Sequence, residues 1–120
     1  MARGTRQQAE RRGRLAERYA ALWLQMKAYS VLAHRVKLPM GEIDLIARRG
    51  ETLAFIEVKQ RQTLERAQTA VPDLAWRRIS RAAEVWAGRH PQLQKLDWRY
   101  DLVAITPWAL PRHFPDFWRP

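Results

Sequence analysis

The sequence of 120 residues contains no cysteine, which excludes disulfide bonds, iron–sulfur clusters and thiolate zinc sites. Its three histidines, His34, His90 and His113, form neither an HExxH nor an HxxxH pair, which argues against a histidine-rich metal site. The longest apolar run, over residues 20–24, is far shorter than the roughly 20 residues that span a bilayer. No apolar segment follows the first arginines, so we expect no secretory signal peptide. We therefore expect a cytoplasmic protein with no membrane partner.

Acidic residues are scarce, since 12 Asp and Glu stand against 22 Lys and Arg and leave a net charge of +10. Such an excess favours a polyanionic partner, and nucleic acid ranks above an anionic membrane. Arginine accounts for 18 of the 22 basic residues, so the codon usage of a G+C-rich genome is a second source of the excess. We expect a nucleic-acid partner.

The hydrophobic pattern predicts the order helix, three strands, helix, strand, which indicates a single mixed α/β domain. A hydrophobic content of 47% is sufficient for one packed core. The predicted elements are helices over 6–27 and 72–88, strands over 29–38, 41–48, 52–61 and 98–106, and a loop over 62–70. The predicted organisation is a basic N-terminal extension (1–12), the α/β domain (13–106), and an aromatic- and proline-rich tail packed on the domain (107–120).

The second and third predicted strands are expected to form a hairpin over the turn at residues 49–52. If the numbers of paired residues sum to 101, Ile43 lies beside Val58 and Leu45 lies beside Ile56, which makes one continuous apolar face. A slip of one residue would turn carboxylates towards the core, so the apolar pattern specifies this register.

The same register brings charged side chains together on the other face, with Asp44 beside Glu57 and Glu42 beside Lys59. Directly opposed side chains have Cβ atoms about 4.5–5.5 Å apart, so the carboxylates of Asp44 and Glu57 would repel each other. Either one of them is protonated or a cation lies between them, and Mg²⁺ (or Mn²⁺) suits such oxygen ligands. Lys59 could then orient a water, as in metal-assisted phosphodiester hydrolysis. The alternative is a solvated hairpin with a Glu42–Lys59 ion pair and no metal.

This pattern of Asp44 followed by Glu57-Val58-Lys59 across a hairpin resembles the PD-(D/E)XK nuclease motif. The longer segments around it, residues 41–47 (GEIDLIA) and 55–61 (FIEVKQR), resemble the YraN family of bacterial proteins. The likeness covers roughly residues 13–118. It includes the first helix (17–24), the second helix (78–83), the later strand (99–103) and the usual ending (113–117).

The resemblance implies a restriction-endonuclease-like fold, related to archaeal Holliday-junction resolvases, and Mg²⁺-dependent cleavage of nucleic acid. Carried over by position, Asp44, Glu57 and the Val58 carbonyl would bind the metal, and Lys59 would act on the attacking water. Three further residues have auxiliary roles by the same comparison, namely Glu17, Glu42 and Gln60. For Glu17, an ordinary solvated helix glutamate is an equally good interpretation.

Several basic side chains suit the phosphate backbone of a nucleic acid, which they would position without reading its sequence. These candidates are Arg61, Arg66, Arg77, Arg78 and Arg81. A solvated helix face is the alternative interpretation for the last three. In the tail, Trp108 and Trp118 could stack on bases or form a subunit interface, although we expect them to pack in the core.

We therefore predict a metal-dependent endonuclease of DNA processing or repair. One alternative is a nucleic-acid-binding module with weak or no catalysis. Another is a structural subunit that uses its aromatic tail for protein contacts. A four-way junction as substrate would require two sites, and hence a two-fold homodimer.

Overall fold

A computed structural model describes the backbone of residues 2–120 and the side chains from residue 6 onward. The side chains of residues 1–5 of the predicted basic extension, including Arg3, therefore lie outside the described part of the chain. The helices are α1 (Ala2–Met26), α2 (Leu64–Gln68) and α3 (Asp73–Gly88), with a 3₁₀ turn over Pro91–Leu93. The strands are β1 (Ser30–Leu38), β2 (Gly41–Arg49), β3 (Thr52–Gln60), β4 (Asp97–Ile105) and β5 (Arg112–Trp118).

The five strands form one mixed sheet in the order β1-β2-β3-β4-β5. Strands β3 and β4 run parallel and are joined by the crossover through α2 and α3, whereas the other neighbours are antiparallel. This confirms the mixed α/β domain with flanking helices, and the arrangement is consistent with a restriction-endonuclease-like fold. Among residues 2–120, no helix has both the length and the apolar character needed to cross a membrane.

The two faces of the sheet are covered by different helices. Small α1 side chains, such as Ala16 and Ala20, pack with Leu45 and Ile56 on one face. Large α3 side chains, of which Trp76 is the largest, pack on the other face of the sheet. Each large apolar side chain that is fully buried stabilises the fold by roughly 1.5–3 kcal/mol. The sheet is thus held between two apolar layers, and the polar side chains at its edges are displayed from a rigid frame.

Three predicted elements differ from the structure. Helix α1 begins earlier than residue 6, so residues 2–12 form its first turns. The predicted loop over 62–70 contains α2, because the Thr63 hydroxyl accepts a hydrogen bond from the Arg66 backbone N–H and caps the helix. The tail contributes β5, which lies at the edge of the sheet, where a strand tolerates Pro115.

The predicted hairpin register is confirmed from Leu45↔Ile56 to Arg49↔Thr52. The predicted shared face of Ile43 and Leu45 is wrong, because Ile43 packs in the layer under α3 and Leu45 packs under α1. The ladder of β2 and β3 ends at Leu45↔Ile56, where the Asp44 carboxylate accepts the backbone hydrogen bond of Val58. Beyond this pair, β2 no longer follows β3, and the simple alternation of faces no longer holds.

Gly41 lies where α3 approaches the start of β2 most closely. A Cβ atom at this position would be 2.7 Å from the carbonyl oxygen of Arg78. We expect Gly41→Ala to lower the free energy of unfolding by about 1–3 kcal/mol, because backbone must move to admit the methyl group. Urea denaturation measures this effect. Gly88→Ala is the matched control, since nothing lies within 4 Å of its Cβ position. Equal stability of the two variants would contradict the close approach.

Candidate active site

A cleft of about 500 Å³ opens between α1 and the ends of the central strands. Its wall includes Glu17 from α1, Arg35 from β1, Asp44 from β2 and Lys59 from β3, with Arg66 from α2 at the rim. The chain therefore brings residues from five consecutive elements to one place. Two of the predicted site acids, Asp44 and Glu17, face this cleft.

Asp44 is held by the backbone of the neighbouring strand. Its Oδ2 accepts a hydrogen bond of 2.8 Å from the Val58 N–H, and its side chain is half-buried. This bond replaces a rung of the β2–β3 ladder, and the Asp44 carboxylate also accepts a hydrogen bond from the Glu57 carboxyl. Burial raises the pKa of Asp44, while the Val58 N–H and the charge of Lys59 oppose the increase.

Glu57 lies next to Asp44 and is only 8% exposed. Its Oε2 is 3.7 Å from the Nζ of Lys59. Burial, followed by the charge of Asp44, raises the pKa of Glu57 to about 8, and Lys59 only partly offsets the increase. The two acids that the sequence predicted to be close therefore raise each other's cost of ionisation, and burial adds to that cost.

The donor atoms of this pair fit a hard divalent cation. Mg²⁺ typically takes one or two protein carboxylates and completes its shell with waters and phosphate oxygens. Asp44 and Glu57 supply two carboxylates, and the carbonyl of the intervening Val58 is a third oxygen within the same segment. Among residues 2–120, no three His, Cys, Asp or Glu side chains converge in a metal-binding group.

Glu17 is buried on α1, and its Oε1 is 3.1 Å from the Nε of Arg35. Burial and then the charge of Asp44 raise the pKa of Glu17, whereas Arg35 lowers it. The structure thus brings Glu17 into the cleft with Asp44, and the solvated interpretation of this residue is wrong.

Arg35 is a cleft residue that our sequence interpretation missed. The sequence contained a signal for it, because the β1–β2 pairs next to the turn have residue numbers that sum to 79, as in Val36↔Ile43 and His34↔Leu45. That register sets Arg35 opposite Asp44. Arg35 also has a φ of 49°, a left-handed backbone conformation that is uncommon for a residue with a side chain.

The two remaining auxiliary candidates differ in position. Glu42 is exposed and lies opposite Lys37 of β1. The predicted Glu42–Lys59 pairing is wrong, because the β2–β3 ladder ends before it and Lys59 pairs with Glu57. Gln60, at the end of β3, lines the cleft.

The predicted nucleic-acid-binding arginines fall on two surfaces. Arg61 and Arg66 line the cleft, together with Arg12 from the predicted extension. The other three, Arg77, Arg78 and Arg81, are exposed on α3, which covers the opposite face of the sheet. The cleft therefore has five basic side chains, namely Arg12, Arg35, Lys59, Arg61 and Arg66.

The two tail tryptophans behave differently. Trp118 stacks on Trp76 with ring centroids 6.0 Å apart, so the expected core packing is confirmed for it. Trp108 is fully exposed, and the same expectation is wrong there. It has a φ of 61° and directly follows Pro107, which lines the cleft. An aromatic ring is thus displayed to solvent at the cleft margin.

The raised pKa of Glu57 predicts how the stability of the metal-free protein depends on pH. The unfolded chain releases this proton near pH 4.5 and the folded chain near pH 8, so the folded state binds more protons between these values. Stability should therefore fall by at least about 1 kcal/mol as pH rises through this window. Urea denaturation in EDTA measures the slope. Glu57→Gln should flatten it, and an unchanged slope in that variant would contradict the assignment.

Most of the chain is similar to proteins of one family. Residues 16–105 match the model of the uncharacterised protein family UPF0102. The UPF0102 protein R00337 of Rhizobium meliloti is 50% identical over 108 residues, which cover 90% of this chain and 88% of that protein. The UPF0102 protein amb4503 of Paramagnetospirillum magneticum is 47% identical over 117 residues, covering 94% and 91%. A UPF0102 protein of Chelativorans is 50% identical over 117 residues, covering 98% and 94%. The chain therefore belongs to the UPF0102 family, the YraN family that its hairpin motif resembles.

Proposed function

We propose that this protein is a divalent-metal-dependent endonuclease that hydrolyses phosphodiester bonds of nucleic acid, with DNA as the favoured substrate. We place it in the cytoplasm, in DNA processing or repair. The observation that carries the proposal is the grouping of Asp44, Glu57 and Lys59 beside a cleft lined by arginines. Two neighbouring acids, next to an ammonium group, are the groups that metal-assisted phosphodiester hydrolysis requires.

Each residue has a role in this proposal. Asp44, Glu57 and the Val58 carbonyl would hold Mg²⁺ or Mn²⁺, which when bound supplies positive charge for a phosphate oxygen and lowers the pKa of a bound water. Lys59 would orient the attacking water, and its contact with Glu57 holds the ammonium beside the acids. Glu17 would hold the guanidinium of Arg35 at the cleft wall through their ion pair.

The basic side chains of the cleft would bind the sugar–phosphate backbone. Arg61 and Arg66 lie on the β3–α2 side, and Arg12 lies on α1 across from them. Contacts of this kind position a strand without reading its bases, and their strength falls steeply with salt. We therefore expect little sequence preference in the bound substrate.

A cleavage assay on a panel of labelled substrates tests the proposal. Duplex, single-stranded, flap and four-way-junction DNA, and RNA, are each incubated with Mg²⁺, Mn²⁺ or EDTA. Wild type should cut at least one substrate with a metal and none in EDTA, and Lys59→Ala should lose this activity. Absence of metal-dependent cutting on every substrate, with salt-sensitive binding retained, would contradict the endonuclease and favour a binding module.

Trp108 favours single-stranded substrates within the same cleft. Stacking of one base on an aromatic side chain contributes about 1–3 kcal/mol. We expect Trp108→Ala to weaken binding of single-stranded DNA about tenfold and binding of duplex DNA much less. Fluorescence anisotropy measures both affinities, with Trp108→Phe as the control that retains an aromatic ring. An equal loss for both DNA forms, or no loss, would contradict base stacking.

A further inference from the structure

Helix α1 presents a second apolar face that is largely exposed to solvent. Four of its large side chains are exposed, namely Leu15 (61%), Tyr19 (40%), Leu22 (56%) and Met26 (74%). We call these four residues the outer stripe. Single exposed apolar residues are ordinary, but a contiguous row along one helix indicates an interaction surface.

The spacing of the outer stripe is that of helix pairing. Its members are separated by four, three and four residues, which is the period that keeps a seam facing a partner helix. The helix turns 100° per residue, so the centre of the stripe lies about 130° around the helix from Ala16, Ala20 and Leu24, which pack on the sheet. The stripe therefore has no role in the core of its own chain.

We propose that the outer stripe is the interface of a homodimer in which α1 of one copy packs antiparallel against α1 of a second copy. Two identical stripes are self-complementary, as a two-fold interface requires. The area also agrees, because complete burial of the two sets of exposed side chains would remove on the order of 1,000 Å² from solvent, which is the lower limit for a specific interface.

The charge distribution of α1 selects the antiparallel direction. Its charged residues near the stripe are arginines on the N-terminal side, namely Arg11, Arg12, Arg14 and Arg18. Residues 19–26 carry no charge. Parallel helices would set the two groups of arginines side by side, whereas antiparallel helices place them at opposite ends. The natural register sets Leu15 opposite Met26 and Tyr19 opposite Leu22.

The stripe borders the cleft without lining it. Leu15 and Tyr19 share a smaller pocket with Arg12 and Gln60, which also line the cleft. The dimer would therefore carry two clefts related by a two-fold axis, each next to the dimer interface. The proposal does not depend on the endonuclease function, since a binding protein could dimerise in the same way.

Analytical ultracentrifugation over a range of concentrations tests the dimer. Wild type should sediment with twice the chain mass, and Leu22→Glu should weaken association by at least about 100-fold, because the dimer loses two buried leucines. Gln25→Glu adds the same charge on an exposed position beside the stripe and should leave association within threefold of wild type. Thermal melting shows whether each variant is folded. A wild type that stays monomeric, or a Leu22→Glu that dimerises like wild type, would overturn the proposal.

The absence of cysteine allows a direct test of the geometry. Leu15→Cys and Met26→Cys chains are oxidised alone and as a mixture. Antiparallel packing separates like cysteines by about 16 Å along the helix axis but brings unlike ones together. Disulfide-linked dimers should therefore form only in the mixture. Self-crosslinking of Met26→Cys without crosslinking in the mixture would overturn the antiparallel arrangement.

Discussion

Asp44→Asn is expected to lower metal-dependent cleavage by at least about 1,000-fold while the protein stays folded. The amide oxygen can still accept the hydrogen bond of the Val58 N–H, so the local backbone should keep its conformation. The substitution removes a negative charge from the cation-binding pair, and with it the site for the metal. Single-turnover cleavage of the best substrate measures the loss.

The matched control for this variant is Glu51→Gln. Glu51 is an exposed acid in the turn of the same hairpin, at the end remote from Asp44. It should cleave at the wild-type rate. Nucleic-acid binding in EDTA should stay the same or strengthen in Asp44→Asn, because an acid has been removed from a basic cleft. A variant that retains more than a tenth of wild-type cleavage would contradict the role of Asp44.

Asp101→Asn is expected to lower the free energy of unfolding by about 3–5 kcal/mol, the cost of leaving a buried charge without its partner. Asp101 is fully buried on β4, with both carboxylate oxygens 2.8 Å from the Arg99 guanidinium. His113 Nε2 is 2.7 Å from the same carboxylate, and the Asp116 N–H donates to it at 2.9 Å. Arg99 also donates to the Tyr29 hydroxyl. One carboxylate therefore ties β4 to β5 and to the start of β1.

The lowered pKa of Asp101 also affects how the free energy of unfolding depends on pH in the acid range. Burial alone would raise the pKa of Asp101, but hydrogen bonds from His113 and Arg99 outweigh it and hold this pKa below the ordinary value of 3.8. A carboxyl with a lowered pKa stabilises the fold above pH 3.8, and this stability is lost as pH falls further. Urea denaturation at neutral and acid pH should show a shallower acid decrease in Asp101→Asn. Asp97→Asn, an exposed position on β4, is the control. A loss below about 1 kcal/mol at neutral pH would contradict this account.

The site could be predicted from the sequence where its residues lie on neighbouring strands of one hairpin. Asp44 and Glu57 lie at the end of the β2–β3 ladder that is remote from the turn, and the apolar residues next to them specify the register. The interaction of Glu17 with Arg35 depends on how α1 docks on the sheet, and no local pattern encodes that docking. For the same reason the sequence could not show that Arg77, on α3, lies on the other face from the cleft.

The helices and strands, like the site, could be predicted where the local sequence determines them. Strands β1 to β4 have the apolar content that predicts them, and their bounds differ by a residue or two from expectation. Strand β5 could not be predicted from the sequence, because Pro115 and the positive φ of Asp116 are atypical of a strand. Its pairing with β4 also depends on the buried Asp101, which accepts a hydrogen bond from the Asp116 N–H. The face of Ile43 could not be read from alternation, because a side chain replaces a backbone partner at the adjacent position.

Titration of the protein with Mn²⁺ by calorimetry tests whether Asp44 and Glu57 form a divalent-cation site. We expect one ion per chain in wild type and in Glu51→Gln, and an affinity at least about tenfold lower in Asp44→Asn and Glu57→Gln. No binding to wild type, or equal binding by wild type and both site variants, would contradict the presence of this site.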